Sequence, residues 1–230
     1  MWTTNLYSKL LNVLFPTMCY GCHKKNTTLC DECLQKCIKS IDTPALYITS
    51  VYSFKDPLIK KVIHAIKYYH RRDLIEPMTR ELAGMLKEEW SKEQEVSKMN
   101  FASQNSSSAT CHLSPITYIL VPIPMSNPRK YMRGYNQAEL IAKELSQKSK
   151  INYDTKILTR SRSPKRQVKT FTRGERLTNQ NKSFTASPFV RGLNVILVDD
   201  VTTTGATLAE ARKTLLKAGA NSVKAITVAH

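Results

Sequence analysis

The sequence predicts an α/β protein, a mostly parallel sheet with helices on both faces, preceded by a small zinc-binding knuckle. Three observations carry this expectation. Beyond residue 45, segments of strand and helix character alternate, the pattern of a parallel sheet covered on both sides. Near the start, four cysteines stand as two Cys-x2-Cys pairs. Further on, the apolar run Val195–Val198 ends in two adjacent carboxylates and a threonine-rich turn. With 230 residues, 41 % of them hydrophobic, the chain has room for one ordinary domain plus an appendage.

Residues 1–42 read as an N-terminal helix and the knuckle, and residues 43–230 as the α/β domain. Leu6, Leu10, Leu11 and Leu14 recur at helical spacing. The same stretch lacks a basic leader, a long apolar core and a small-residue cleavage site, so it does not read as a signal peptide. No stretch reaches the roughly 18 to 20 apolar residues that cross a bilayer. The expectation is a cytoplasmic protein with no membrane span. In a reducing cytosol Cys19, Cys22, Cys30 and Cys33 are metal ligands rather than disulfide partners. Each pair turns two thiolates toward one ion, and two pairs complete a closed tetrahedral zinc site of structural type. Gly21 is expected to ease the tight bend of the first pair; Cys37 and His23 stand near enough to substitute as ligands.

In the body, "ALYITSVYSF" has the β-branched and aromatic residues of a strand. Asp56-Pro57 then supplies an N-cap and a first-turn proline. Ile59, Val62, Ile63 and Ile66 follow on one helical face. A second helix, from about Asp73, carries Ile75, Met78, Leu82 and Met85. Residues 91–115 are polar, serine-rich and without periodicity, which predicts a flexible insertion. "TYILVPIP" returns as strand, and Ala138, Ile141, Ala142 and Leu145 mark another amphipathic helix. The last third reads strand (Val195–Val198), helix (Leu208, Ala211, Leu215), Gly219 and a final strand, "SVKAITVA".

Charge narrows the ligand. Against 18 Asp and Glu there are 35 Lys and Arg, a net +17, which favours polyanions or anionic substrates. The excess is steepest over a segment expected to be a basic lid loop, residues 159–191. There Arg160, Arg162, Lys165, Arg166, Lys169, Arg173, Arg176, Lys182 and Arg191 are balanced by Glu175 alone. Such a segment can cover a bound anion, or wall a groove for single-stranded DNA with Phe171 and Phe184 as stacking faces.

The acids Asp199 and Asp200 close a strand, where open α/β sheets keep their ligands. The loop Thr202, Thr203, Thr204, Gly205, Ala206 and Thr207 then enters a helix whose first-turn N–H groups suit a phosphate. The carboxylates are poorly placed on that phosphate, but they can accept hydrogen bonds from sugar hydroxyls. A diol at one end and a phosphate at the other describe a ribose 5-phosphate. After the strand through Val121 come Arg129, Lys130 and Arg133, of which Arg133 is the candidate for pairing with pyrophosphate oxygens. Asn136 and Gln137 read either with that site or simply as the start of their helix.

Residues 195–207 resemble the phosphoribosyl-pyrophosphate signature of type I phosphoribosyltransferases. In that resemblance Asp199 and Asp200 match the ribose-binding acids and Thr202 through Thr207 the 5-phosphate loop. With "FPTMCYGC" and "LCDEC" ahead, "RGYNQ" at 133–137, and Gln167, Arg173, Arg176 and Asn179, the chain is similar to the ComF family of competence-associated proteins. The resemblance implies a type I phosphoribosyltransferase-like fold, phosphoribosyl pyrophosphate with Mg2+ as ligand, and a role in DNA uptake and natural transformation. It also implies partnership with single-stranded DNA, a competence helicase and other DNA-processing proteins. The alternative is a phosphoribosyltransferase of nucleotide metabolism or salvage with no direct DNA role.

Overall fold

The computed structural model describes residues 16–102, 118–160 and 183–230. The main sheet is built from β1 (Ile48–Tyr52), β2 (Tyr118–Pro122), β5 (Asn194–Val201) and β6 (Ser222–Ala229). All neighbours are parallel, in the order β1-β6-β5-β2. The two central strands bury side chains on both faces, which is why Val195–Val198 reads as an unbroken apolar run. Two short strands, β3 (Leu158–Arg160) and β4 (Phe184–Ala186), form a separate antiparallel ribbon.

The helices follow their sequence signals closely. The short α1 (Asp31–Gln35) belongs to the cysteine knuckle. At α2 (Pro57–Tyr68), Asp56 Oδ1 accepts from the N–H groups of Leu58 and Ile59 at 2.8 and 3.0 Å, a cap typically worth about 1 kcal/mol. The other carboxylate oxygen of Asp56 accepts from Ile38 N at 2.9 Å, fastening the end of the knuckle to this helix. Helix α3 (Ile75–Ala102) buries Ile75, Met78, Leu82 and Leu86. Met85, expected on that face, is 37 % exposed instead.

The expected insertion at 91–115 is corrected in its first half, because α3 runs unbroken to Ala102. Its sequence there, "SKEQEVSKMNFA", has no Gly or Pro and is rich in residues that lose little freedom in a helix. With no apolar stripe, a periodicity test is silent. Residues 103–115 lie outside the described residues, as does the expected helix at Leu6–Leu14. The lid loop is also trimmed: its ends are the β3–β4 ribbon and a 3-10 turn at Pro188–Val190. Leu158 and Phe184 are core residues that pin the ribbon in place. Phe184 is only 2 % exposed, so it is not a stacking face; the Arg160 guanidinium lies over its ring at 5.4 Å. Lys165, Arg166, Gln167, Phe171, Arg173 and Arg176 lie outside the described residues.

Three further helices complete the domain: α4 (Asn127–Arg133), α5 (Gln137–Ser149) and α6 (Ala206–Lys217). One core joins α2, α3 and α5 to the sheet, and the knuckle contributes Cys19, Leu29, Cys30 and Leu34 to it. The opposite face is covered by Leu208, Ala211 and Leu215 of α6 and by the ribbon. The helices after β2 and β5 therefore leave for opposite faces, although the two strands are neighbours. That divergence opens a crevice at their carboxyl ends, the switch point of a parallel sheet.

Candidate functional site

The acids stand on β5 at that crevice, and the strand continues past them to Val201. Successive strand residues face opposite sides. Ile196 and Val198 pack with α2, α3 and α5, whereas Val195 and Leu197 pack with α6. By the same alternation, Asp200 faces the first layer and Asp199 the second. Asp200 lines a small cavity together with Ile63, Ile66, Ile75, Met78, Ile141 and Val228, and its Oδ2 pairs with Lys67 Nζ at 3.0 Å. Asp199 Oδ1 accepts from Asp200 N at 2.9 Å. Burial and the Asp200 carboxylate push Asp199 up to about 8, against the Asp200 N–H and Lys67, which favour its ionised form. An acid so perturbed in a crevice is a mark of functional sites.

Beyond the acids the chain turns into α6. Thr202 is buried and its N–H donates to Ala229 O at 3.1 Å, extending the register with β6. Thr203, Thr204 and Thr207 are exposed. Gly205 has φ +73°, the left-handed region that favours glycine. A Cβ there would lie 3.1 Å from Pro44 Cγ and 3.3 Å from Ile48 Cδ1, so the position is closed by space as well as by angle. Unlike α2 and α5, capped by Asp56 and Asn136, α6 has a glycine, Gly205, at its N-cap, and its first N–H, that of Ala206, donates to Thr204 Oγ1 at a long 3.4 Å.

On the other side of the crevice, the segment 133–137 is organised residue by residue. Gly134 ends α4 in the left-handed conformation. Tyr135 donates from its hydroxyl to Ile66 O, and the Arg72 guanidinium lies over its ring at 4.3 Å. Asn136 caps α5 through Ala138 N and donates from Nδ2 to Ile123 O at 3.0 Å, clamping the loop after β2. It does begin the helix, and it also shapes the crevice. Arg133 is half-buried; Nη2 donates to the Tyr68 hydroxyl at 3.3 Å and Nη1 to Gln137 Oε1 at 3.5 Å. Gln137 is 1 % exposed, and its Nε2 has no hydrogen-bond partner among the described residues. Buried donors are rarely left so.

The front cluster fits a metal. The sulfurs of Cys19, Cys22, Cys30 and Cys33 all lie within 4.8 Å of one another. Cys19–Cys30, Cys19–Cys33 and Cys22–Cys30 are 3.6, 3.8 and 3.6 Å apart. A tetrahedron with metal–sulfur bonds of ~2.3 Å has edges of ~3.8 Å. Burial raises the Cys19 thiol, but the N–H groups of Cys22, Cys30 and Gly21 outweigh it and bring it down to about 6, whereas Glu32 pushes Cys30 up and burial pushes Cys33 up, so the fit to a metal rests on the sulfur geometry. Cys37 is not part of the group; its thiol donates to Cys33 O at 3.2 Å. Gly21 needs a different explanation from the one its sequence suggests. Its φ is not in the left-handed region, but a Cβ would meet Cys33 Sγ at 2.8 Å. Space, not backbone angle, requires glycine there.

The acids and the threonine loop follow one another at the end of β5, and the last turn of α2 touches both Asp200, through Lys67, and Arg133, through Tyr68; the cysteines form their own group. Sequence reasoning missed Lys67 and Tyr68. A cation four residues after Ile63, at the edge of an otherwise apolar helix face, was the available signal.

Comparisons with known proteins agree with this layout. Residues 132–230 match the model of the phosphoribosyl transferase domain. The DNA utilization protein YhgH of Salmonella typhi is 29 % identical over 195 residues, covering 85 % of this chain and 74 % of that protein. Competence protein ComFC of Bacillus subtilis (strain 168) is 40 % identical over 112 residues, 48 % of this chain and 44 % of that protein. Competence protein F of Haemophilus influenzae is 32 % identical over 119 residues, 49 % of this chain and 50 % of that protein.

Proposed function

We propose that the chain is a ComF-family protein that binds phosphoribosyl pyrophosphate in the β2–β5 crevice and handles single-stranded DNA in the cytosol during DNA uptake. One observation carries the ligand assignment: acids at a strand end, a threonine-rich loop, a left-handed glycine and a helix start follow one another between Asp199 and Ala206. In this reading the 5-phosphate sits on the first turn of α6, held by backbone N–H groups and the hydroxyls of Thr203, Thr204 and Thr207. Asp199 and Asp200 accept from the ribose hydroxyls. Arg133 takes the pyrophosphate, its Nη1 held by the buried Gln137 Oε1. Magnesium, held mainly by the ligand's own oxygens, would offset the pyrophosphate charge. The ion of the cysteine knuckle is zinc, in a structural role.

The DNA assignment is supported by the net charge of +17, the basic segment around 160–182 and the names of the relatives. A second reading, transfer of the phosphoribosyl group to a base or amine, is favoured by the completeness of the loop 199–207. In that reaction the bond from C1 to pyrophosphate oxygen breaks, pyrophosphate leaves with the electron pair, and the acceptor nitrogen bonds C1 and gives up its proton to the leaving pyrophosphate or to water.

Asp199→Asn combined with Asp200→Asn tests the reading. The double variant should lose measurable binding of phosphoribosyl pyrophosphate in calorimetry while its affinity for single-stranded DNA stays within about threefold. DNA affinity itself should fall with salt at a slope of about −0.7 per phosphate neutralised. Equal loss of both ligands in a folded double variant, or a flat salt response, contradicts the proposal. Pyrophosphate release across a panel of bases separates transfer from binding.

A further inference from the structure

Resting on that reading of the crevice, we propose that the last turn of α2 is its third wall. In this assignment Lys67 and Tyr68 are positioning residues that set the sugar end and the pyrophosphate end of the site relative to each other. Three contacts form the chain. Lys67 Nζ holds Asp200 Oδ2 at 3.0 Å. Tyr68 follows it directly, and its hydroxyl accepts from Arg133 Nη2 at 3.3 Å. The Arg133 guanidinium also lies over the Tyr68 ring at 5.1 Å, a cation–π contact that fixes the plane of the guanidinium.

A purely architectural role for these contacts is poorly supported. Helix α2 is already anchored by Ile59, Val62, Ile63 and Ile66 in the core. A partly buried ion pair adds little net stability to such packing. Tyr68 is 53 % exposed, so its ring is not held there by burial, and it carries a cationic side chain rather than core. Lys67 supplies a positive charge beside two neighbouring carboxylates that repel each other on one strand. On the far side, a guanidinium with long side-chain freedom loses less entropy on binding if an aromatic face has already oriented it. The single turn of helix thus couples two contacts that sequence distance would leave independent.

The probes are phosphoribosyl pyrophosphate and ribose 5-phosphate, which differ in the pyrophosphate, measured with magnesium by calorimetry on the full chain. Tyr68→Ala should weaken phosphoribosyl pyrophosphate by about tenfold or more and leave ribose 5-phosphate within about twofold, because only the Arg133 end is disturbed. Lys67→Met should weaken both compounds by about tenfold or more, and Lys67→Arg should recover most of the loss. Both side chains are partly exposed, so circular dichroism should show unchanged folding. Variants that bind both compounds as the parent does overturn the inference. So does a Tyr68→Ala variant that loses both equally, or a Lys67→Arg variant no better than Lys67→Met. If the parent protein binds neither compound, the reading of the crevice itself falls.

Discussion

Replacing Asp199 with asparagine should make the protein more stable above neutral pH while removing its affinity for the sugar. In the folded chain the Asp199 carboxyl is pushed from 3.8 up to about 8 by burial and by Asp200. The unfolded chain gives up that proton near pH 3.9. Between these values the native state holds more protons than the unfolded one, so stability falls as pH rises, and the penalty is complete above about pH 8. At 1.36 kcal/mol per unit the ceiling is about 5 to 6 kcal/mol. Asp199 is only partly sealed from solvent, and screening brings the expected gain from Asp199→Asn to about 1–3 kcal/mol. For a chain of this size that corresponds to roughly 3 to 10 °C in melting temperature. Asparagine keeps the acceptor for Asp200 N, so charge is the main change. Urea unfolding of parent and variant at pH 5, 6.5 and 8 reads the effect: a gain that is largest at pH 8 and shrinks toward pH 5. A variant equal to or weaker than the parent at pH 8, or one whose gain does not change with pH, refutes the argument.

Gly205→Ala places a side chain at φ +73° and a Cβ 3.1 Å from Pro44 Cγ; the left-handed strain alone costs about 1–2 kcal/mol. Calorimetry should show weakened phosphoribosyl pyrophosphate binding together with a lower melting temperature; unchanged binding would mean the loop does not approach the phosphate. Gly21→Ala drives a Cβ to 2.8 Å from Cys33 Sγ, so purified variant should carry less bound metal than the parent by elemental analysis. Chelating the parent's metal should likewise lower its melting temperature, because metal binding and folding of such knuckles are coupled.

Much of the fold was legible because burial leaves a periodic trace. Ile59, Val62, Ile63 and Ile66 repeat as a helix must when one face meets a sheet, and Val195–Val198 is unbroken because both faces of β5 are covered. Residues 91–102 left no such trace, since a polar helix has propensity but no stripe. Phe184 read as an available aromatic because exposure is not written in residue type; only the packing of the β3–β4 ribbon shows it in the core. Gly21 read as a backbone device for the same reason: the sulfur that excludes a Cβ comes from twelve residues on, in the second cysteine pair.

By itself the sequence determined the order of chemistries along the chain: paired thiols, a capped helix, arginines after a strand, and acids that give way to a threonine- and glycine-containing loop and a helix start. Each of these depends on neighbours a few residues away, and local spacing records them. The tertiary structure alone decided which of them meet. Parallel pairing sets the ends of β2 and β5 side by side, strand alternation turns Asp199 and Asp200 to opposite faces, and the last turn of α2 reaches both Asp200 and Arg133. Those contacts join residues more than sixty positions apart, and no short-range pattern in the chain encodes such a meeting.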